Sequence, residues 1–196
     1  MCIRDRPNTR DLGALATKDG RHIIPRRLLR SGNLYHASLQ DQNLLLEDYR
    51  LKTVIDLRDQ TEKKEKPDAV MKGVEYYHIP MIDEETVAEK PESTLGILQG
   101  STRLRQILEY DGDIEALIGK QYENFVKDQY SVKQCARFMD VLFHHDNGAV
   151  LWHCSLGKDR VGVMTALLLC VLGVHRDEIR EDFMRSNICL AGELDY

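Results

Sequence analysis

One stretch near the end of the chain constrains the fold more than any other. It runs from Ala149 to Gly173 and reads AVLWHCSLGKDRVGVMTALLLCVLG. A short apolar run of strand length comes first, a polar turn containing Gly157 follows, and a second apolar run of helix length ends at Gly173. The first run is typical of a buried parallel strand, and glycine commonly ends a helix. We therefore predict a buried strand, a tight turn and a helix that is buried on nearly every face.

The polar turn carries residue types that suit chemistry on a phosphate group. Cys154 comes where the predicted strand ends and the helix begins, at the kind of sheet edge where α/β proteins bind ligands. The backbone N–H groups of such a turn can all point inward, and the N-terminal end of the helix adds positive charge. We expect a thiol in this setting to ionise readily, and the Arg160 guanidinium to bind two phosphate oxygens at once. The predicted phosphate-binding residues are Ser155, Leu156, Gly157, Lys158, Asp159 and Arg160.

These residues resemble the phosphate-binding loop of a known family. His153 and Cys154, followed by five residues and then Arg160, are similar to the signature loop of the protein tyrosine phosphatase superfamily. The inner residues GKDR at 157–160 resemble, more narrowly, the bacterial dual- and triple-specificity phosphatases that act on phosphotyrosine and phosphoinositides. The apolar strand before the loop and the apolar helix after it strengthen the match, because the motif needs that context.

Further matches extend this resemblance over nearly all of residues 8–187. They are NTRDLG at 8–13, RSG at 30–32, and DLR at 56–58 with Glu62 and Asp68 after it. The resemblance implies a single α/β domain with a central, mostly parallel sheet of about four or five strands flanked by helices, as in tyrosine phosphatases. We expect the phosphatase domain to cover residues 8–196, with residues 1–7 outside the native fold. Relatives generally continue through further helices, so we expect this domain to be truncated at its C-terminus.

The resemblance also implies a reaction, the metal-free hydrolysis of a phosphomonoester in two steps without a cofactor. Cys154 would attack phosphorus to form a thiophosphate intermediate, which water would then break. Arg160 and the loop amides would hold the outer phosphate oxygens, and His153 would support Cys154 by hydrogen bonding. The implied substrates and partners are phosphorylated proteins, including those with phosphotyrosine, or phosphoinositides.

The leaving group of this reaction needs a proton donor. The resemblance implicates Asp159 in the loop and Asp56 in the DLR triplet, and Asp83, shortly after a proline, is a third candidate. Asp56 has a structural alternative as the partner of a buried arginine such as Arg30, which we expect to tie loops together. Lys158 has two open roles, the binding of further phosphate groups or the balancing of the charge of Asp159.

Length and composition exclude several classes of protein. The chain has 196 residues and a net charge of −5, which favours one domain and argues against a general nucleic-acid or membrane-surface binder. No apolar run is long enough to span a membrane and no signal peptide is visible, so we expect a cytoplasmic protein without stable membrane insertion. The five cysteines are odd in number and lack a closely spaced pair, which favours a reducing compartment and no metal site.

Two other functions stay open. One is a pseudophosphatase that binds phosphate without turnover, because Val161 stands where the family usually has threonine or serine. The other is a sulfurtransferase of the rhodanese type, which also uses a loop cysteine but usually has a different loop spacing.

Two segments have simpler interpretations. The charged run Glu62–Lys66 is predicted to be a solvated face. Residues Ile82–Arg105 are either a lid over the site or a surface loop.

Overall fold

Five strands form one sheet at the centre of the protein. The computed structural model describes residues 8–84, 112–145 and 147–191. The strands are β1 (Arg10–Asp11), β2 (Leu28–Ser31), β3 (Leu51–Asp56), β4 (Glu75–His78) and β5 (Ala149–His153). Their order in the sheet is β1-β2-β5-β3-β4, with β1 antiparallel to β2 and every other pair parallel. This arrangement confirms the predicted single α/β domain with a mostly parallel sheet.

Helices connect and cover the strands. Those of the described residues are α1 (Leu39–Asn43), a π-helical turn (Leu44–Asp48), α2 (Gln60–Glu65), α3 (Ile114–Lys127), α4 (Gln129–Phe143), α5 (Asp159–Val171) and α6 (Arg176–Cys189). None of these helices is long and apolar enough to cross a membrane. Residues 1–7, 85–111, 146 and 192–196 lie outside the described residues. They include most of Ile82–Arg105, the segment predicted to be a lid or a surface loop.

Strand β5 lies in the middle of the sheet and is buried on both faces. Its side chains alternate, as in any strand, between two hydrophobic clusters. Val150 and Trp152 pack with α3, α4 and α5, whereas Ala149 and Leu151 pack on the other face with the π-helical turn. The Trp152 ring contacts the edge of Phe138 in α4, with ring centroids 5.5 Å apart. Because both faces of β5 are buried, every residue of the strand can be apolar up to Trp152. The packing on both faces also holds the carboxyl end of the strand in place.

Helix α5 is buried along most of its length. Val161, Met164 and Leu169 are fully buried, as the sequence predicted. The last turn of α5 differs, because Val171 is 63% exposed. The prediction of a helix buried on nearly every face is therefore wrong for this turn. A helix of this length is about 20 Å long and a five-residue strand is only about 16 Å, which leaves the last turn without a neighbouring strand. Gly173 ends the helix with a φ of +77°.

Candidate active site

The polar turn between β5 and α5 lies at the carboxyl edge of the parallel strands. The turn comprises residues 154–158 together with Asp159 and Arg160, the first two residues of α5. Strands β2, β3 and β4 end beside it at the same edge of the sheet. Gly157 has a φ of +67°, and a Cβ there would lie 2.4 Å from the carbonyl carbon of Ser31. Only glycine fits such a conformation at such a distance. The close approach of the turn to β2 therefore depends on this residue.

Three carbonyl groups of the turn are tied to the protein interior. The hydrogen bonds, of 2.7 to 3.2 Å, run from Asn33 to Ser155 O, from Asn8 to Leu156 O and Gly157 O, and from Arg30 to Gly157 O. In a trans peptide the N–H points away from the C=O of the same unit. The N–H groups of residues 156–158 therefore point away from Asn8, Asn33 and Arg30, toward the concave side of the turn. An inward-facing set of amides has the form of an anion-binding nest.

Cys154 and Arg160 stand at the two ends of the turn, and both are buried. Two nitrogens of the Arg160 guanidinium, Nη1 and Nη2, donate to the Glu62 carboxylate at 2.5 and 2.8 Å. Ser155 Oγ donates to the same carboxylate at 2.5 Å. The prediction of a solvated face is therefore wrong for Glu62, whose side chain is only 14% exposed. Asp59 and Glu62 form a capping box at the start of α2. This capping box holds the Glu62 carboxylate on the side of the helix that faces the loop.

The Glu62–Arg160 pair alters the ionisation of both groups. Burial alone would raise the pKa of Glu62, but the hydrogen bonds and charge of Arg160 hold that pKa well below the usual 4.5. Burial also opposes the charge of Arg160, whereas the Glu62 hydrogen bonds, and then the charge that Cys154 carries when it is ionised, raise the pKa of Arg160. The guanidinium is therefore a permanent cation at the mouth of the turn.

Replacing Glu62 by glutamine should weaken the fold in a pH-dependent way. We expect Glu62→Gln to lower the free energy of unfolding by about 1.5–3 kcal/mol near neutral pH, because Arg160 loses a charged hydrogen-bond partner. The folded-state pKa of Glu62 lies below its unfolded value of 4.5. The contribution is therefore complete above that pH and is lost as the pH falls through the folded-state pKa. Urea unfolding should show the difference from wild type shrinking below pH 4.5.

The matched control is Glu65→Gln, an exposed position on the same helix. It should leave the unfolding free energy near the wild-type value throughout. A difference for Glu62→Gln that stays constant down to about pH 3 would contradict the pairing.

Asp56 belongs to a buried ionic cluster behind the turn. Both of its oxygens accept hydrogen bonds from Arg58 at 2.9 Å. Arg58 Nη2 also lies 2.9 Å from Asp68 Oδ2, and His153 Nε2 approaches that oxygen at 3.0 Å without hydrogen-bond geometry. His153 Nδ1 lies 3.4 Å from the Cys154 carbonyl oxygen. These contacts support the structural alternative for Asp56, although the arginine concerned is Arg58 and not the expected Arg30.

The same cluster has the spacing of a possible metal site. One ligand atom from each of Asp56, Asp68 and His153 lies within 4.8 Å of the others. The Arg58 guanidinium already supplies the positive charge between the two carboxylates. Placing a cation there would bring it against a buried arginine, so we assign no metal to these residues.

Arg30 ties several loops together, as predicted. Its side chain is fully buried and bonds Asp182 of α6 at 2.6 Å, and Gly157 O of the turn at 2.8 Å. Arg10 donates to the same Asp182 at 2.7 Å. Burial, and then the charge of Arg10, lower the pKa of Arg30 to about 10, while Asp182 acts in the opposite direction. One carboxylate therefore compensates two buried guanidinium groups.

Of the three remaining predicted residues, Asp159 and Lys158 lie at the start of α5. Asp159 is the first residue of the helix and accepts a hydrogen bond at Oδ1 from the hydroxyl of Tyr122 on α3. Lys158 forms no ion pair within residues 8–84, 112–145 and 147–191. Asp83 lies near Tyr130, whose pKa is raised by burial and then by the charge of Asp83.

Sequence reasoning missed several residues of this site. Asn8 and Asn33 hold carbonyl groups of the turn, Glu62 pairs with Arg160, and Tyr122 contacts Asp159. The capping pattern from Asp59 to Glu62 predicts the start of a helix, but it does not predict that Glu62 pairs with Arg160. The family match at 8–13 includes Asn8 but did not predict that its side chain would bond carbonyl groups of the turn.

The strand–turn–helix unit and the sheet around it are those of the tyrosine phosphatase class. A sequence model of the tyrosine phosphatase family matches residues 2–195. The chain belongs to this family.

Individual relatives agree with the family match. Over 183 residues the chain is 30% identical to a Cupriavidus necator protein named as a tyrosine-protein phosphatase, covering 92% of this chain and 60% of that protein. Over 207 residues it is 28% identical to the triple specificity protein phosphatase PtpB of Mycobacterium tuberculosis, covering 95% of this chain and 70% of that protein. A solved structure of P. aeruginosa TpbA with phosphotyrosine is 17% identical over 83% of this chain and 70% of that chain, with a TM-score of 0.36. The chain therefore spans about three fifths of the first relative.

Proposed function

We propose that this protein is a cysteine-dependent phosphomonoester hydrolase that acts on phosphotyrosine in proteins or on phosphoinositides. The observation that carries the proposal is the turn at residues 154–160. Its carbonyl groups are bonded to the interior, its amides face inward, and Cys154 and Arg160 stand at its ends. A thiolate, a cation and a set of amides suit attack on a phosphate dianion. The Mycobacterium tuberculosis relative is named as a triple specificity protein phosphatase, which supports phosphorylated proteins as substrates.

In the proposed first step, Cys154 attacks phosphorus in line with the leaving oxygen. A sulfur lone pair forms the S–P bond while the P–O bond breaks, and the electron pair of that bond goes to the leaving oxygen. Protonated Asp159 gives its proton to this oxygen and becomes a carboxylate. The loop amides and Arg160 hold the three other phosphate oxygens, over which charge spreads in the transition state. Glu62 holds the Arg160 guanidinium at the mouth of the turn before substrate arrives.

In the second step, water attacks the thiophosphate. The Asp159 carboxylate takes a proton from that water as the new O–P bond forms, and the S–P bond breaks with its electron pair returning to sulfur. Inorganic phosphate leaves, and both the thiolate and the protonated acid are restored. No redox partner is needed in either step. A reducing cytoplasm would keep the thiol in the form that this cycle requires.

Hydrolysis of an aryl phosphate tests the proposal directly. We expect release of the phenol and of phosphate, inhibition by vanadate, and no inhibition by EDTA. The same preparation should not transfer sulfur from thiosulfate to cyanide, which would instead indicate a rhodanese-type activity. Phosphate binding without release of the phenol would favour the pseudophosphatase. That alternative has one supporting observation, because Val161 is fully buried in the apolar cluster that includes Cys154 and brings no hydroxyl to the sulfur.

The role of Asp159 can be tested by the leaving group. We expect Asp159→Asn to lower kcat/KM roughly a hundredfold on an alkyl phosphate and only a few-fold on p-nitrophenyl phosphate, because a poor leaving group depends more on protonation. Asp56→Asn is the comparison, since its contacts are with Arg58. Equal losses on both substrates for Asp159→Asn, or a selective loss for Asp56→Asn, would overturn this assignment.

Lys158 is proposed to bind additional phosphate groups. Lys158→Ala is expected to lower kcat/KM on phosphoinositides about tenfold more than on a phosphotyrosine peptide, which is roughly the effect of one charged hydrogen bond. Lys120→Ala is the control, since Lys120 is exposed on α3. A uniform loss on both substrates would instead indicate that the lysine balances the charge of Asp159.

A further inference from the structure

A small aromatic cluster holds the carboxyl group of Asp159. The cluster consists of Tyr122, Phe125 and Phe183. The Tyr122 hydroxyl donates to Asp159 Oδ1. The Tyr122 ring packs edge-on against Phe125 and Phe183, with ring centroids 6.3 and 6.0 Å away. The hydrogen bond joins α3 to α5, and Phe183 brings α6 into contact with the same tyrosine.

A close contact between two helices supports the cluster. Gly162 lies one turn after Asp159 in α5, and a Cβ at that position would come within 2.5 Å of Phe183 Cε2. The missing side chain lets Phe183 of α6 reach the space beside Tyr122. The Tyr122 ring contacts two other aromatic rings, and such packing restricts its rotamer freedom. The Tyr122 hydroxyl is thus presented at a defined point.

The direction of the hydrogen bond decides which carboxyl oxygen carries a proton. An ionised carboxylate only accepts, so the Tyr122 proton points at Oδ1 of Asp159. If Oδ1 remains the acceptor when Asp159 is protonated, the acidic proton resides on Oδ2. The same bond restrains the orientation of the carboxyl group. A proton donor works best when its acidic proton is aimed at the leaving oxygen before the reaction begins.

We propose that Tyr122 is a positioning residue that orients Asp159 and directs its acidic proton to Oδ2. The inference rests on the proposed function, in which Asp159 protonates the leaving group. The inference adds Tyr122 of α3 to the residues that serve the proposed reaction. Tyr122 acts through Asp159 and is not proposed to contact phosphorus. Its effect should appear only where protonation of the leaving group matters.

The experiment compares leaving groups across four proteins: wild type, Tyr122→Phe, Asp159→Asn and the double variant. The substrates are p-nitrophenyl phosphate, phenyl phosphate and an alkyl phosphate. For Tyr122→Phe we expect kcat/KM to fall about tenfold on the alkyl ester and less than twofold on the nitrophenyl ester, as for the loss of one hydrogen bond. In the Asp159→Asn background the same replacement should change neither value by more than twofold.

Tyr76→Phe is the matched control, because it removes a hydroxyl that bonds only the backbone of Met71 and Ala69. It should leave the leaving-group dependence unchanged. Equal losses on all substrates for Tyr122→Phe, or no loss at all, would overturn the inference. A selective loss that persists in the Asp159→Asn background would also overturn it. If Asp159→Asn itself shows no leaving-group dependence, the assigned acid fails and the positioning role fails with it, whereas a wild-type protein without turnover contradicts the proposed function.

Discussion

Cys154→Ser is expected to abolish phosphatase turnover while phosphate binding is retained. If Cys154 is the nucleophile, its loss should lower kcat by on the order of 10⁵-fold, to the background of the assay. Binding should survive because the carbonyl groups that orient the loop accept hydrogen bonds from Asn8, Asn33 and Arg30, and the thiol takes no part in these bonds. Turnover of p-nitrophenyl phosphate and calorimetric titration with phosphate measure the two properties separately.

The control for this change is another cysteine of the same region. Cys170 is exposed near the far end of α5. Cys170→Ser should leave kcat within about twofold of wild type, as for most surface replacements. Turnover of Cys154→Ser near the wild-type rate would refute a thiophosphate mechanism. Loss of phosphate binding along with turnover would show that the thiolate also organises the loop.

Asp182→Asn is expected to have the largest effect on stability. Among the residues that the structure describes, Asp182 is the one carboxylate that contacts both buried guanidinium groups, Arg10 and Arg30. An asparagine has the same shape but no charge, so two cations stay buried without compensation. Breaking a buried pair from one side typically costs about 3–5 kcal/mol. We expect a loss of that order in the free energy of unfolding, measured by urea denaturation at neutral pH.

Glu181→Gln is the control on the same helix. The Glu181 side chain is 67% exposed and pairs with Arg185 on the surface, so we expect a change of about 0.5 kcal/mol or less. A loss for Asp182→Asn no larger than that of the control would mean that water or another group compensates the arginines. Because Arg30 also bonds the Gly157 carbonyl, KM for an aryl phosphate should rise in Asp182→Asn even where the protein is folded.

The loop and its support could be predicted because their determinants are local. Cys154 and Arg160 lie within one turn, and the conformation of that turn needs the glycine at 157. The apolar runs on either side have the lengths of a strand and a helix, which follow from backbone geometry alone. The mostly parallel sheet was predicted from the family resemblance and from the alternation of such elements.

The partners of the charged residues could not be predicted in the same way. Glu62 and Arg160 are 98 positions apart, and Arg30 and Asp182 are 152 positions apart. A charged residue at the end of a short helix looks solvated in the sequence, because exposure is typical of such residues. Whether it faces solvent or a buried arginine depends on which other element the chain brings against it.

The amino-acid sequence by itself determined the strand–turn–helix unit, the residue types in its turn and the family to which the chain belongs, since all of these are carried by short-range pattern. Only the tertiary structure decided how that unit is held. The packing of α2 brought Glu62 to Arg160, the packing of α6 brought Asp182 to Arg10 and Arg30, and the packing of α3 brought Tyr122 to Asp159. The physical reason is that a side chain acquires a partner through burial and distance, and both are properties of the folded chain.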